Sequence, residues 1–575
     1  MKKTILYLMI VIVTVFLLKA EGLRHKTQGV KLKAQGIRLK AEGVKPNSLP
    51  RLLGGGQRLT VNGQRLKPNG QPSTVNRHPS SIIQTESGPV SGYYNERTGV
   101  TAYKGIPFAA PPVGALRWKP PQPVQPWKDT KECIRFGASP MQPKPVSFLF
   151  LGPEFVVPPA PISEDCLYLN VWTAARSAAE KRPVMVWIYG GGFVTGGAAA
   201  PGYSGEALAQ KGIVFVSFNY RLGIFGFFSH PALTAESSHH SSGNYALMDQ
   251  IAALVWVKKN IRAFGGDPDR ITIAGQSAGS ASVNCLLASP LTAGLIQGAI
   301  GESGSLVLEN PLLRMRTLKD AEQDGERVAK SFQAANLDEL RRISAEDLQK
   351  KGFGFYSPTI DGYVEPRSVA ETYKLDKQMH VPFLTGWNGD EGIILGLENK
   401  ENFAKQAAQF GADSALFTKY FPSVTDSEST ASQIRLSMEK TIGVSSYAWA
   451  VEQNKNSRAK TFLYQFTRKP PATGDKKRFG AYHTAEIGYA LHNLDSIQRS
   501  WEPVDLRLEN ELSSYWVQFV KTGDPNQSGL PDWRSFSNEN PACIIFGDST
   551  LVRSLPDKNA LDFLWARYPG NGNKR

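Results

Sequence analysis

The sequence predicts an α/β protein with a large, mostly parallel central sheet covered by helices on both faces. First, hydrophobic residues make up 41% and charged residues 20% of the 575 residues, as in a globular protein with a sizeable core. Second, apolar runs typical of strands buried on both faces recur at 183–189, 213–219, 270–274, 299–303, 382–386 and 461–466. Third, residues 246–257 have helical spacing and lie between two of these runs. Strands alternating with helices predict a parallel sheet, with functional loops at the carboxyl ends of its strands.

The net charge of +15 is concentrated at one end of the chain. Residues 1–79 contain fifteen Lys or Arg against two acidic residues, whereas residues 80–575 contain 51 basic and 49 acidic residues. A folded part with a balance of +2 lacks the basic excess typical of nucleic-acid binding. We therefore expect no nucleic-acid partner.

Residues 1–20 have the features of a secretory signal peptide. Lys2 and Lys3 precede an apolar run, 5–18, that is short for a membrane span. Leu18 stands where a small residue is preferred before cleavage, so a signal anchor is the alternative. We expect a secreted or periplasmic protein, with a membrane-anchored form as the alternative.

Residues 21–79 are expected to form a basic, low-complexity linker that is disordered. Four degenerate heptads each carry a glycine and one main apolar position, which opposes a coiled coil. The linker is expected to be mostly solvated, and weak association with an anionic envelope surface is the alternative. The folded domain is expected to span 80–575.

The segment Gly275-Gln276-Ser277-Ala278-Gly279 predicts an exposed, reactive serine. It follows the β-branched run 270–274 and precedes 278–287, which can form a helix. A serine on a sharp turn from strand to helix needs small neighbours where the two elements nearly touch, and Gly275 and Gly279 supply that space. We interpret Ser277 as the nucleophile of a nucleophile elbow.

A second glycine-rich turn supplies candidate hydrogen-bond donors. The apolar strand 183–189 leads directly into Gly190-Gly191-Gly192-Phe193. Glycines at such a turn let backbone N–H groups point at a ligand. In an acyl-transfer enzyme this turn forms an oxyanion hole with the N–H group after the nucleophile. The predicted donors are Gly191, Gly192 and Ala278.

A serine nucleophile needs a base, and the base needs a carboxylate. Two histidines follow a strand-end carboxylate late in the chain, and we favour His483, in a loop of small residues, over His492, in an apolar stretch. Asp390 and Glu391 both follow the predicted strand 382–386. Spacing alone leaves the choice of acid open.

These residues resemble the type-B carboxylesterase and cholinesterase family of α/β-hydrolases, and the likeness covers about 82–568. The segments that carry it are 103–118, 163–170, 219–223 and 264–268. The resemblance implies an α/β-hydrolase fold, Ser277 as nucleophile, His483 as general base and Glu391 as the triad acid. It also implies an oxyanion hole at Gly191, Gly192 and Ala278. Ser303 resembles a buried family serine that supports the triad, with a purely structural role as the alternative.

The resemblance also implies a disulfide between Cys133 and Cys166, whereas Cys285 is expected to be a buried, unreactive thiol. Two features depart from the family. Gln276 stands where many members carry a glutamate, and the loop 133–166 contains no tryptophan that could stack on choline. Cholinesterase activity is therefore not expected.

The expected function is that of a serine carboxylesterase acting on neutral or aromatic carboxylic esters through an acyl-enzyme. Its expected partner is a small-molecule ester, and no metal or organic cofactor is required. One alternative is a lipase whose lid is the apolar loop 148–151. The other is a catalytically silent, cholinesterase-like binding protein.

Overall fold

The computed structural model of the chain describes residues 82–147, 152–158, 161–308, 314–352, 354, 356–392, 397–456 and 459–568. The predicted signal peptide (1–20), the predicted linker (21–79) and the candidate lid (148–151) lie outside the described residues. Within the described part, no helix has both the length and the apolar character needed to cross a membrane.

Eighteen strands occur in the described part of the chain. They are β1 (Ile82–Thr85), β2 (Gly88–Ser91), β3 (Tyr93–Asn95), β4 (Val100–Pro107), β5 (Lys131–Glu132), β6 (Ser139–Pro140), β7 (Ile162–Ser163), β8 (Tyr168–Thr173), β9 (Arg182–Ile188), β10 (Val214–Phe218), β11 (Gly266–Gln276), β12 (Gly298–Glu302), β13 (Arg316–Thr317), β14 (Thr359–Ile360), β15 (Phe383–Asn388), β16 (Thr461–Phe466), β17 (Ala542–Phe546) and β18 (Thr550–Ser554). All six predicted apolar runs form strands.

The α-helices of the described residues separate these strands. They are α1 (Glu206–Gln210), α2 (Gly223–Phe227), α3 (Pro231–Glu236), α4 (Tyr245–Asn260), α5 (Ala278–Ala288), α6 (Leu318–Ser331), α7 (Leu337–Arg342), α8 (Ala345–Lys351), α9 (Val369–Lys374), α10 (Lys400–Lys405), α11 (Ser414–Tyr420), α12 (Asp426–Met438), α13 (Val444–Asn454), α14 (Ile487–Ala490), α15 (Pro503–Thr522) and α16 (Lys558–Trp565). The predicted helix 246–257 is the central part of α4.

An eleven-stranded sheet forms the centre of the fold, in the order β18-β17-β16-β15-β12-β11-β9-β10-β8-β4-β3. Seven consecutive strands, from β17 to β10, are parallel, and every pairing beyond them, on both edges of the sheet, is antiparallel. Helices flank the sheet, and every residue of α5 is buried. The predicted α/β class with a mostly parallel sheet is confirmed.

The order of the strands marks one crevice at the carboxyl edge of the sheet. The chain passes from β9 to β10 on one side, and from β11 to β12 on the other, while β9 and β11 are neighbours. Adjacent parallel strands whose connections leave in opposite directions open a crevice at their carboxyl ends, where ligands bind. The glycine turn follows β9 and Ser277 follows β11, so both predicted features lie at this crevice.

The predicted disulfide between Cys133 and Cys166 is wrong for this structure, in which both thiols are free and buried. The backbone of Cys133 bonds to the Ser91 carbonyl and to the Lys104 N–H group, beside the small sheet formed by β1, β2 and β5. The segment that leads to Cys166 pairs with β6, where Pro140 lies opposite Ser163, the last residue of β7. Pro140, and not Cys133, therefore lies beside this segment. Cys285 is buried as predicted.

Candidate active site

Ser277 occupies a strained turn between β11 and α5. Its backbone has φ 58° and ψ −121°, a combination that non-glycine residues rarely adopt. Two hydrogen bonds hold the turn: the Ser277 N–H group donates to the Glu302 carbonyl over 2.8 Å, and the Ser277 carbonyl accepts from the Ala281 N–H group over 2.9 Å. Such strain persists only where the surrounding structure enforces it, and it is frequent at active sites.

The two glycines that flank the turn are required by the packing of β9 against it. A Cβ atom at Gly279 would lie 2.0 Å from the carbonyl oxygen of Ile188, and one at Gly275 would lie 2.8 Å from the same oxygen. No side chain fits at these distances. The spacing of the two glycines in the sequence therefore reflects contact between the serine turn and the end of β9.

His483 lies between the serine and a carboxylate. Its Nε2 atom is 2.8 Å from the Oγ atom of Ser277, and its Nδ1 atom is 2.7 Å from the Oε2 atom of Glu391. With Glu391 as an acceptor, Nδ1 carries the proton and Nε2 is free to accept from the serine hydroxyl. The structure thus joins three side chains that are far apart in the sequence.

The structure separates the two candidate acids. Glu391 is buried, and its second oxygen, Oε1, accepts from the Ser303 hydroxyl and from the Asn388 N–H group, each over 2.6 Å. Asp390 instead accepts a hydrogen bond from the backbone N–H of Ala481 over 2.8 Å. Glu391 therefore faces the imidazole, whereas Asp390 holds the backbone of the loop that carries it.

The alternative histidine, His492, lies elsewhere. Its Nδ1 atom is 3.2 Å from the Ser513 hydroxyl and 3.9 Å from a carboxylate oxygen of Glu509, on α15. Burial lowers the pKa of His492, and Lys211 lowers it further. It contacts neither Ser277 nor Glu391.

The glycine turn after β9 lies beside the serine. A Cβ atom at Gly190 would come within 3.0 Å of the Ser277 Cβ atom. Gly191 and Gly192 have φ values of 112° and 63°, and both are exposed. Within the described residues, the backbone N–H groups of Gly191, Gly192 and Ala278 donate no hydrogen bond. These three N–H groups are therefore free of partners within the described part of the chain.

This arrangement can transfer a proton from the serine hydroxyl to the imidazole, while the buried carboxylate stabilises the imidazolium that results. Backbone N–H groups beside the serine can stabilise a negative oxygen. Among the described residues, no group of three or more His, Cys, Asp or Glu side chains is suited to bind a metal ion.

Comparison with known proteins identifies the family. The model of the Carboxylesterase family matches residues 79–564. The chain belongs to the carboxylesterase family.

The relatives of this carboxylesterase include bacterial and mammalian esterases. It is 36% identical over 487 residues to fumonisin B1 esterase of Sphingopyxis macrogoltabida, covering 79% of this chain and 84% of that protein. It is 32% identical over 515 residues to para-nitrobenzyl esterase of Bacillus subtilis (strain 168), covering 85% and 99%. A solved carboxylesterase of Geobacillus stearothermophilus matches with a TM-score of 0.72 and 30% identity, covering 84% of this chain and 100% of that one. The protein is therefore a carboxylic ester hydrolase with the α/β-hydrolase fold.

Two buried carboxyl groups of this carboxylesterase were missed by the sequence analysis. Glu302, at the end of β12, accepts a hydrogen bond from the Trp516 Nε1 atom over 2.7 Å, and Glu486 accepts one from the Asn388 side-chain amide. Burial raises the pKa of Glu302. Burial raises the pKa of Glu486 as well, and the nearby carboxyls of Glu302 and Glu391 raise it further. The sequence offered one signal for these buried carboxyl groups, which is the presence of Glu302 inside the apolar run 299–303.

Proposed function

We propose that this carboxylesterase hydrolyses carboxylic esters through an acyl-enzyme, with Ser277 as nucleophile, His483 as general base and Glu391 as the acid of the triad. The observation that carries the proposal is the continuous series of contacts from the Ser277 hydroxyl through both nitrogens of His483 to Glu391. The strained turn at Ser277 and its position at the sheet crevice support the same assignment.

In the acylation step, the Ser277 oxygen attacks the carbonyl carbon of the ester while its proton passes to Nε2 of His483. The carbonyl oxygen becomes an oxyanion, and the N–H groups of Gly191, Gly192 and Ala278 donate to it. Each such donor contributes about 3–4 kcal/mol of transition-state stabilisation. The tetrahedral intermediate then breaks its bond to the alcohol oxygen, which leaves with the proton from His483.

In the deacylation step, water replaces the alcohol. His483 takes a proton from the water as its oxygen attacks the acyl carbon, and the bond to the Ser277 oxygen breaks with return of that proton. Glu391 orients the imidazole throughout. Ser303 and the Asn388 N–H group hold the carboxylate of Glu391 in place through the oxygen that does not face His483.

The proposed substrates are neutral or aromatic carboxylic esters. Names of relatives point to para-nitrobenzyl esters and to fumonisin B1 as members of the first test panel. Cholinesterase activity is not proposed, because the neutral Gln276 stands before the nucleophile and no tryptophan lies within 133–166. We also propose that the signal 1–20 directs export and that 21–79 links it to a catalytic domain spanning 80–575.

The test is replacement of the nucleophile. Ser277→Ala should lower kcat on a para-nitrophenyl ester by about a millionfold, because the triad acts as a unit. The matched control is Ser289→Ala at the other end of α5, where a buried hydroxyl donates to the Val364 carbonyl over 2.6 Å. The control should keep the wild-type kcat. Full activity in Ser277→Ala would contradict the proposal, and absence of turnover by the wild type on every ester would favour a silent binding protein.

A further inference from the structure

Gln276, the residue before the nucleophile, contacts the base from a second direction. Its side-chain amide nitrogen, Nε2, donates a hydrogen bond to the backbone carbonyl of His483. Gln276 is the last residue of β11 and is 2% exposed, so its side chain is largely shielded from water. A carbonyl oxygen can only accept, and therefore the NH₂ group of the glutamine must face it.

The loop that carries His483, residues 480–483, is called the base loop, and three consecutive residues in it are each held by a polar side chain. The Ala481 N–H group donates to Asp390, and the Tyr482 carbonyl accepts from the Asn388 side-chain amide over 2.8 Å. The carbonyl of His483 accepts from Gln276. Asn388 is the last residue of β15, and Asp390 lies in the loop after it. Gln276 alone of the three side chains belongs to the turn that carries the nucleophile.

Because it lies on the turn of the nucleophile, Gln276 can affect the distance between Ser277 and His483 in a way that Asn388 and Asp390 cannot. Because Gln276 and Ser277 are consecutive, the bond to the His483 carbonyl ties the backbone of the base to the backbone of the nucleophile. A second link joins the same two segments through their side chains, because the Ser277 oxygen lies 2.8 Å from Nε2 of the imidazole. The backbone bond thus limits how far the imidazole can move from the serine oxygen.

We propose that Gln276 is a positioning residue that fixes the distance between the nucleophile and the base, and that this function needs a hydrogen-bond donor at position 276. An ionised glutamate there would face the His483 carbonyl with an acceptor and lose the bond. The catalytic roles of Ser277 and His483 are those of the proposed function, on which this inference rests.

A purely structural role predicts a different result. A buried amide hydrogen bond contributes about 1 kcal/mol to folding wherever it occurs. Loss of such a bond lowers Tm and leaves kcat unchanged. Gln453 on α13 provides the matched case, because it is fully buried and its Nε2 atom donates to the Met379 carbonyl over 3.0 Å.

The experiment compares Gln276→Met and Gln276→Glu with Gln453→Met in the full chain, using steady-state kinetics on a para-nitrophenyl ester and Tm. Gln276→Met should lower kcat by about 10- to 100-fold, the size expected for a misplaced base, with KM within about twofold of wild type. Gln453→Met should lower Tm by a similar amount and keep the wild-type kcat.

Gln276→Glu adds a readout that a structural role does not move. A protonated glutamate can donate to the His483 carbonyl, whereas an ionised one cannot. The ratio of kcat in Gln276→Glu to kcat in the wild type should therefore rise as pH falls toward the carboxyl pKa. This ratio is measured independently of Gln276→Met, and so it decides the question even if that variant fails to fold.

Two results would overturn the inference: a kcat for Gln276→Met within about twofold of the control, or a pH-independent ratio for Gln276→Glu. Failure of the proposed function has a separate signature, because in that case Ser277→Ala itself keeps its activity. An inactive Ser277→Ala together with a fully active Gln276→Met would reject the positioning role alone.

Discussion

The backbone strain at Ser277 shows how single residues shape this site. A non-glycine residue in such a conformation costs roughly 1–3 kcal/mol, which the surrounding structure must offset. The hydrogen bond from the Ser277 N–H group to the Glu302 carbonyl and the start of α5 help to offset it. Glycines at 275 and 279 leave room for the turn beneath β9. The serine hydroxyl is thereby presented to the crevice.

Glu302 makes the stability of the protein depend on pH. Burial raises its pKa from 4.5 to about 8, so the folded state keeps a proton that the unfolded chain has released at neutral pH. The free energy of unfolding therefore falls as pH rises through this range, by up to about 1.4 kcal/mol per pH unit. This contribution is fully present below the ordinary carboxyl pKa and is lost above the raised one.

Replacement of Glu302 by glutamine should remove that part of the pH dependence. The amide keeps an oxygen for the Trp516 Nε1 atom and carries no titrating proton. Between about pH 5 and about pH 8, denaturant titrations should show a smaller loss of unfolding free energy in Glu302→Gln than in the wild type. Glu346→Gln, at an exposed position of α8, is the control and should follow the wild type. Parallel curves for all three proteins would contradict the raised pKa.

At the scale of elements, the site depends on two loops that close on each other. The N–H group of Asp390 donates to the Ala481 carbonyl over 3.1 Å, and the Asp390 carboxylate accepts from the Ala481 N–H group. Gly480 has a φ of 53°, and a Cβ atom there would lie 2.1 Å from the Asp390 carboxylate. The loop after β15 and the base loop therefore meet through a contact that only glycine at 480 permits.

Loss of the Asp390 carboxylate should loosen the base loop. Asp390→Ala should lower kcat by about tenfold, because the imidazole is held less closely against Ser277. Asp390→Asn keeps an oxygen that can accept from the Ala481 N–H group and should retain most of the activity. Steady-state kinetics and Tm of both variants provide the measurement.

The control for this prediction is Asp267→Ala at the start of β11. Asp267 also accepts a backbone N–H group, that of Asp269, over 3.0 Å, but it lies at the amino end of the strand. A wild-type kcat in Asp390→Ala, with a lowered Tm in both alanine variants, would restrict Asp390 to a role in stability.

The elements themselves were predictable from local patterns, whereas those patterns left the direction of the loop side chains open, and only the resemblance to the family selected Glu391. Apolar runs and flanking glycines located the strands that lead into the glycine turn and into Ser277, since buried parallel strands have a strong local signal. Asp390 and Glu391 are consecutive residues after the same strand, so their positions in the sequence do not distinguish them. Only the contact of the loop with the base loop turns one carboxylate toward the imidazole and the other toward the Ala481 backbone.

For the whole molecule, the parallel sheet explains how distant residues meet. Ser277 follows β11, Glu391 follows β15 and His483 lies in the connection after β16, and the carboxyl ends of these strands lie on one edge of the sheet. The likeness to a family therefore predicted the meeting of residues that are 92 and 206 positions apart. Contacts that depend on packing between unrelated segments carried no sequence signal.

Two examples show this limit. The bond from Gln276 to the His483 carbonyl forms because the fold brings the end of β11 close to the base loop. No local sequence pattern encodes that approach. The expected disulfide failed because the fold places Pro140, and not Cys133, beside the segment that leads to Cys166. In both cases tertiary neighbours decide the interaction.

The most direct test of the central claim is stoichiometric labelling with an organophosphate, followed by peptide mass spectrometry. A serine activated by His483 should react with one phosphoryl group per chain, on the peptide that contains Ser277, and activity should fall in proportion to the label. His483→Ala should react far more slowly. Complete inactivation with the label on another residue, or full turnover by a chain labelled at Ser277, would contradict the assignment of Ser277 as the nucleophile.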